Sequence, residues 1–315
     1  MNTPSANAIY RGIIPPMATP LRGRDELDLA GLERLIEHML GGGVHGLFVL
    51  GTTGEAPSLS YRLRRELIER TCRQVAGRVP VLVGITDTSM VEAVGLARVS
   101  EDCGASALVV AAPYYYPNSQ PELTEYIEHL AAELSLPFFL YNMPSHTKTM
   151  FDVETVRRAM DLPNVIGMKD SSANMVYYHQ LVRLLGDRPD WTLLMGPEEL
   201  LAESVLLGGH GGVCGGANLC PRLYVDLYQA AVSRDIARVV ELHARVMHIS
   251  STLYKVGRHG SAFIKGLKCA LSLIGVCDDF MAEPFHRFRE TERAEVANRL
   301  ARLGITASVP YPKAV

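Results

Sequence analysis

Lysine is scarce in this 315-residue chain: of 31 basic residues only six are lysines, Lys148, Lys169, Lys255, Lys265, Lys268 and Lys313. Each one therefore asks for a reason. Net charge is small as well. A formal charge of -3, a pI near 6.4 and the lack of any long Lys/Arg cluster leave no electrostatic footprint for nucleic acid. No apolar run approaches the ~20 residues that span a bilayer. The stretch MNTPSANAIYRG has neither the charged start nor the apolar core of a signal peptide, so a cytoplasmic protein without a membrane segment is expected. Cys72, Cys103, Cys214, Cys220, Cys269 and Cys277 form no CxxC pair, and the ten histidines contain no HExxH and no three-ligand set. Reduced core thiols and no metal are the expectation. With 48% hydrophobic and 21% charged residues, the composition excludes disordered and fibrous classes.

Short apolar runs recur about every 20 to 35 residues: GIIPPMAT (12–19), GLFVL (46–50), VPVLVGI (79–85), ALVVAA (107–112), PFFLYN (137–142), NVIGMK (164–169), WTLLMG (191–196) and GGVCGG (211–216). Between them lie stretches with apolar residues at i, i+3, i+4 and i+7, such as 29–40, 61–75, 122–134 and 153–160. Strands joined through helices run parallel, and unbroken apolar runs suit strands buried on both faces. The pattern predicts an α/β fold, a (β/α)8 TIM barrel over residues 1–233, with a C-terminal helical extension over 234–315 packed on it. A doubly wound open sheet is the structural alternative.

Active sites on a (β/α)8 barrel lie at the C-terminal ends of the strands. There the sequence places GTTGE (51–55), PYYYP (113–117), YNMPSHT (141–147), Lys169-Asp170 and GGHGGVCGG (208–216). A lysine in apolar surroundings, with its amine neutral, attacks a carbonyl carbon to form a Schiff base. The competing reading of Lys169 is an ion pair with a nearby carboxylate. Tyr141 ends the preceding strand, and its phenol would move protons in the same mouth or else lie at the rim in water. The turn from Gly51 through Thr52 and Thr53 offers hydroxyls and backbone N–H groups for a small carboxylate, or simply caps a helix. GGGVHG (41–46) matches a dinucleotide fingerprint but precedes a strand, which removes that reading. The glycines of 208–216 would cradle a phosphate or permit close backbone approach, and the second reading is preferred.

With GTTGE, YNMP and GMKD in this order, the chain resembles the dihydrodipicolinate synthase/N-acetylneuraminate lyase family of class I aldolases over nearly its whole length. The resemblance implies Lys169 as Schiff-base lysine, Tyr141 as proton-relaying tyrosine, and Thr52 and Thr53 as the turn that holds a 2-oxo acid carboxylate and joins the relay. It implies that Tyr115 reaches into a neighbouring subunit's site and that Val213 lies against bound pyruvate. It also implies no metal, no organic cofactor and a homotetramer built as a dimer of dimers. Where synthase members carry an arginine that grips the semialdehyde carboxylate, this chain has His146, which lacks the bidentate fork. Lys148 would compensate or stay solvated. Glu198 and Glu199 match the acidic pair with which lyase members bind sugar hydroxyls, or they favour a helix N-terminus.

The expected function is a Schiff-base aldolase or lyase acting on pyruvate or another 2-oxo acid, with a hydroxylated or sugar-derived acid preferred. The alternatives are 4-hydroxy-tetrahydrodipicolinate synthase condensing pyruvate with aspartate semialdehyde, a 2-oxo sugar acid dehydratase, and a non-catalytic 2-oxo acid sensor.

Overall fold

The first strand shows how sequence chemistry trims the predicted elements. GIIPPMAT is regular only over β1 (Gly12–Ile13), because Pro15 and Pro16 have no N–H to give to a ladder. A small antiparallel hairpin follows, β2 (Leu21–Gly23) with β3 (Glu26–Leu27), and then α1 (Leu29–Gly41), capped by the Asp28 carboxylate. The computed structural model describes residues 10–257 and 260–306.

The alternation continues with β4 (Leu47–Val49), α2 (Tyr61–Val75), β5 (Val81–Gly84), α3 (Met90–Asp102), β6 (Ala107–Ala111) and α4 (Gln120–Glu133). After β7 (Phe138–Asn142) come two short helices, α5 (Pro144–Thr147) and α6 (Val153–Ala159). Then come β8 (Val165–Asp170), α7 (Met175–Leu184), β9 (Thr192–Met195), α8 (Leu201–Leu206), β10 (Gly211–Gly212) and α9 (Pro221–Val232). All eight predicted apolar runs contain a strand of one parallel sheet, ordered β1-β10-β9-β8-β7-β6-β5-β4.

The sheet closes. Pro16 bridges Phe48 in parallel, with the Phe48 N–H donating to the Pro15 carbonyl at 2.9 Å and the Met17 N–H to the Phe48 carbonyl at 2.8 Å. A carbonyl still accepts where a proline cannot donate, so the prolines shorten the strand without opening the barrel. Closure decides for the (β/α)8 barrel and against the doubly wound sheet. The glycines of the eighth strand permit close backbone approach: a Cβ on Gly211 would stand 2.0 Å from the Gly12 carbonyl oxygen.

Side chains pointing into the barrel form their own apolar cluster, including Ile14, Phe48, Val109, Phe139, Tyr141 and Leu194. A larger cluster lies between sheet and helices. It takes in Leu242 of α10 (Ile236–Thr252), Leu267 of α11 (Ala262–Leu273) and Val296 of α12 (Glu290–Leu303), so these helices share the core of the barrel's outer layer. The six cysteines are free thiols. No described helix is long and apolar enough to cross a membrane.

Candidate active site

Period-two alternation sets the chemistry of the sixth barrel strand, because adjacent residues point to opposite faces. Asp170 turns outward, where its carboxylate accepts from Asn142 Nδ2 at 2.8 Å, Ser172 N at 3.1 Å and Ser172 Oγ at 2.9 Å. Lys169 turns inward, paired in register with Tyr141 on one side and Leu194 on the other, and only 5% exposed. Its Nζ stands 4.0 Å from the ring centre of Tyr141 and 5.2 Å from that of Phe48. Among the described residues no carboxylate lies within ion-pair distance of it, so the ion-pair reading of Lys169 finds no partner.

Above the lysine, the turn after β4 is bracketed by two residues in the left-handed region, Leu50 (φ 59°) and Glu55 (φ 58°). Non-glycine residues rarely adopt this conformation, and it persists where surrounding structure enforces it. Gly54 N and Glu55 N close the turn onto the Gly51 and Thr52 carbonyls, at 3.1 and 3.0 Å. The N–H groups of Thr52 and Thr53 donate to no described residue, which leaves two adjacent donors for an anion. Thr52 Oγ1 lies 3.1 Å from the Tyr141 hydroxyl. Lysine, phenol, threonine hydroxyl and free N–H pair thus come together from three strand ends.

Of these groups, Thr52 and Tyr141 line a cavity of about 790 Å³, and Lys169 and Thr53 lie behind its lining residues. Gly51, Thr52 and Tyr141 line its inner part, and His146 and Met143 come from the segment after β7. Its remaining wall was not foreseen. Ser261, Ile264 and Lys265 of the C-terminal helices, with Phe285 and His286 beyond them, close the outer side. The available signal was Lys265 and Lys268, spaced i, i+3 in the otherwise apolar AFIKGLKCALSL.

Comparison with known proteins agrees with this geometry. The Dihydrodipicolinate synthetase family profile matches residues 9–303. The chain belongs to the dihydrodipicolinate synthetase family. It is an enzyme of the lyase class. The 4-hydroxy-tetrahydrodipicolinate synthase of Phenylobacterium zucineum is 31% identical over 297 residues, 94% of this chain and 98% of that one. The solved dihydrodipicolinate synthase of Bacteroides thetaiotaomicron is 56% identical with a TM-score of 0.91, covering 96% of this chain and 100% of that one. A prophage protein of the dihydrodipicolinic acid synthase family from E. coli K12, solved in complex with pyruvate, is 30% identical with a TM-score of 0.88, covering 94% and 99%.

The remaining expectations drawn from the dihydrodipicolinate synthetase family fall in different places. Val213 is buried inside the barrel in the cluster with Tyr141. Thr53 is buried in its turn. Tyr115 is 77% exposed, packs edge-on against Tyr116 at 5.0 Å, and does not line the cavity of its own chain. His146 does line the cavity; burial and the Lys148 charge beside it hold the imidazole below its ordinary pKa. Lys148 is exposed and donates to the Ser145 carbonyl at 2.9 Å.

Glu198 is placed differently from a sugar-binding carboxylate. It is fully enclosed, with Oε1 accepting from the Tyr224 and Tyr254 hydroxyls at 2.5 and 3.0 Å and Oε2 from Gly216 N at 2.6 Å. Burial pushes its pKa up to about 7, against the pull of those donors. Both oxygens are occupied by the protein, so Glu198 joins the end of β9 to α9 and the C-terminal helices. Glu199 is half-buried, its backbone carbonyl 2.8 Å from His243 Nε2, and it does not line the cavity. Among the described residues no group of three or more His, Cys, Asp or Glu side chains is placed to hold a metal ion.

Proposed function

We propose that this enzyme forms an imine between Lys169 and the ketone of pyruvate, and uses it to make or break a carbon–carbon bond to an aldehyde. The observation that carries the reading is the Lys169 amine, buried without a carboxylate partner 4.0 Å from the ring centre of a tyrosine whose hydroxyl meets Thr52. The Thr52 and Thr53 N–H groups hold the pyruvate carboxylate. The Lys169 nitrogen attacks the ketone carbon, and Tyr141, in contact with Thr52, delivers the proton with which the carbinolamine oxygen leaves as water. The iminium then accepts the electron pair released when a C3 proton departs, and the resulting enamine carbon attacks the aldehyde. Hydrolysis of the product imine regenerates the lysine.

For the second substrate, the relatives favour aspartate semialdehyde over the sugar-derived acid preferred from sequence, since the Phenylobacterium zucineum and Bacteroides thetaiotaomicron proteins are called 4-hydroxy-tetrahydrodipicolinate and dihydrodipicolinate synthases. Glu198, with both oxygens occupied, removes the main argument for a sugar acid. A homotetramer belongs to the same proposal, with exposed Tyr115 and Tyr116 as the surface a neighbouring subunit would cover.

Borohydride reduction in the presence of pyruvate, followed by peptide mass mapping, tests the reading. The adduct is expected on Lys169, and Lys169→Ala is expected to lose both adduct and turnover while keeping its circular dichroism spectrum. Folded wild-type protein with no adduct, or an adduct on another lysine, refutes it.

A further inference from the structure

An acceptor with its own carboxylate needs a cation, and burial together with the Lys148 charge works against a charged His146. Among the described residues that line the cavity, one lysine and no arginine is present: Lys265. Its side chain, from α11, is 4% exposed, and its Nζ makes no hydrogen bond or ion pair with any described residue. The ring of Phe288 lies beside it, 5.5 Å from ring centre to Nζ. Lys268, three residues further along the same helix, is the opposite case. Its ammonium is fully enclosed but saturated, donating to the Thr19 and Phe280 carbonyls and to Glu55. A buried ammonium without an acceptor is costly, so one satisfied lysine and one unsatisfied lysine on a single helix call for different explanations.

We infer that Lys265 binds the far carboxylate of the second substrate, as the specificity residue at the outer end of the cavity. The inference rests on the imine reading, with one carboxylate at the Thr52–Thr53 turn and the other at Lys265. Ile264, Met143, Pro57 and Phe285 line the same cavity and suit an unbranched hydrocarbon spacer. The occupant is therefore an acyclic diacid, formed when a carboxylate-bearing aldehyde joins the enamine. Burial holds the Lys265 pKa below its ordinary value, and an arriving carboxylate would act in the opposite direction, favouring the charged form. Glu292 and Arg289 act on Lys265 with opposite signs. Glu292 Oε2 is itself buried without a partner, so the competing explanation is that Lys265 serves only as its counter-charge.

Borohydride trapping on Lys169 with 2-oxoglutarate, 2-oxoadipate and 2-oxopimelate, each against the 2-oxo monoacid of equal chain length, separates these explanations. At one or more lengths the diacid should half-saturate at roughly tenfold lower concentration, as expected for a charge-assisted hydrogen bond. Lys265→Met should abolish that preference and Lys265→Arg should keep part of it, with pyruvate trapping showing that the imine site is still assembled. Wild-type protein without a diacid preference, or Lys265→Met retaining it, overturns the assignment. A Lys265→Met protein that loses thermal stability yet keeps the preference identifies the Glu292 role instead. If wild-type Lys169 traps neither pyruvate nor any of these acids, the imine reading has failed. Calorimetric titration of the same diacids then decides Lys265 alone: binding lost in Lys265→Met sustains it, and no binding to wild type overturns it.

Discussion

Lys268→Met tests how the C-terminal helices hold the turn that carries Thr52 and Thr53. The ammonium and the Glu55 carboxylate are 2.7 Å apart and both fully enclosed, although 213 residues separate them. Glu55 also accepts from Ala282 N at 2.8 Å. Removing Lys268 leaves a buried carboxylate without its cation and strips the Thr19 and Phe280 carbonyls of a donor. Breaking a buried pair from one side costs about 3–5 kcal/mol. At about 2 °C per kcal/mol for a chain of this size, Tm should fall by about 6–10 °C. Glu55→Gln added to Lys268→Met removes the stranded charge and should recover part of the loss, a positive coupling of about 1–3 kcal/mol. Calorimetry at matched protein concentration measures both. Because Glu55 anchors the turn that carries Thr52 and Thr53, the KM for pyruvate should rise along with the loss of stability. A Tm fall under about 2 °C, or a double variant less stable than Lys268→Met, would refute the reasoning.

Tyr141→Phe should lower kcat by about 10²–10⁴-fold while Lys169 still forms an adduct slowly, and Thr52→Val, which removes one hydrogen bond, should cost about five- to tenfold. Rapid-quench trapping measures both rates, and equal rates in Tyr141→Phe and wild type would exclude the phenol as proton donor. Glu198, raised from 4.5 to about 7, stays protonated in the folded protein where the unfolded chain has released its proton. Its contribution to stability is therefore fully present below pH 4.5 and is lost as pH rises through 7. Glu198→Gln should lack this downward slope. His38, His45 and His210, whose pKa values burial lowers, act in the opposite sense in acid, so the difference in Tm between variant and wild type across pH 5–8 is the quantity to read. Parallel curves would show that Glu198 does not titrate there.

The sequence by itself determined the eight barrel strands in chain order and the residues that stand at their C-terminal ends. Those signals are local, carried by the apolar runs and the residues that end them, and the structure then turns Lys169 inward and Asp170 outward, with Tyr141 on the preceding strand facing the same interior. The motifs GTTGE, YNMP and GMKD were legible for this reason. Tertiary structure decided what depends on distant partners. Glu198 reads in sequence as a free acid at a strand end, yet Tyr224 and Tyr254 enclose it from helices later in the chain. Glu55 reads as the end of a turn, yet its partner is Lys268. Lys265 reads as one polar residue in a core helix, and only the packing of α11 against the barrel mouth brings it into the cavity. The physical reason is that hydrophobic periodicity fixes which face of an element is buried. Which buried polar group meets which partner is fixed by closure of the barrel between Pro16 and Phe48 and by docking of the last helices across its mouth.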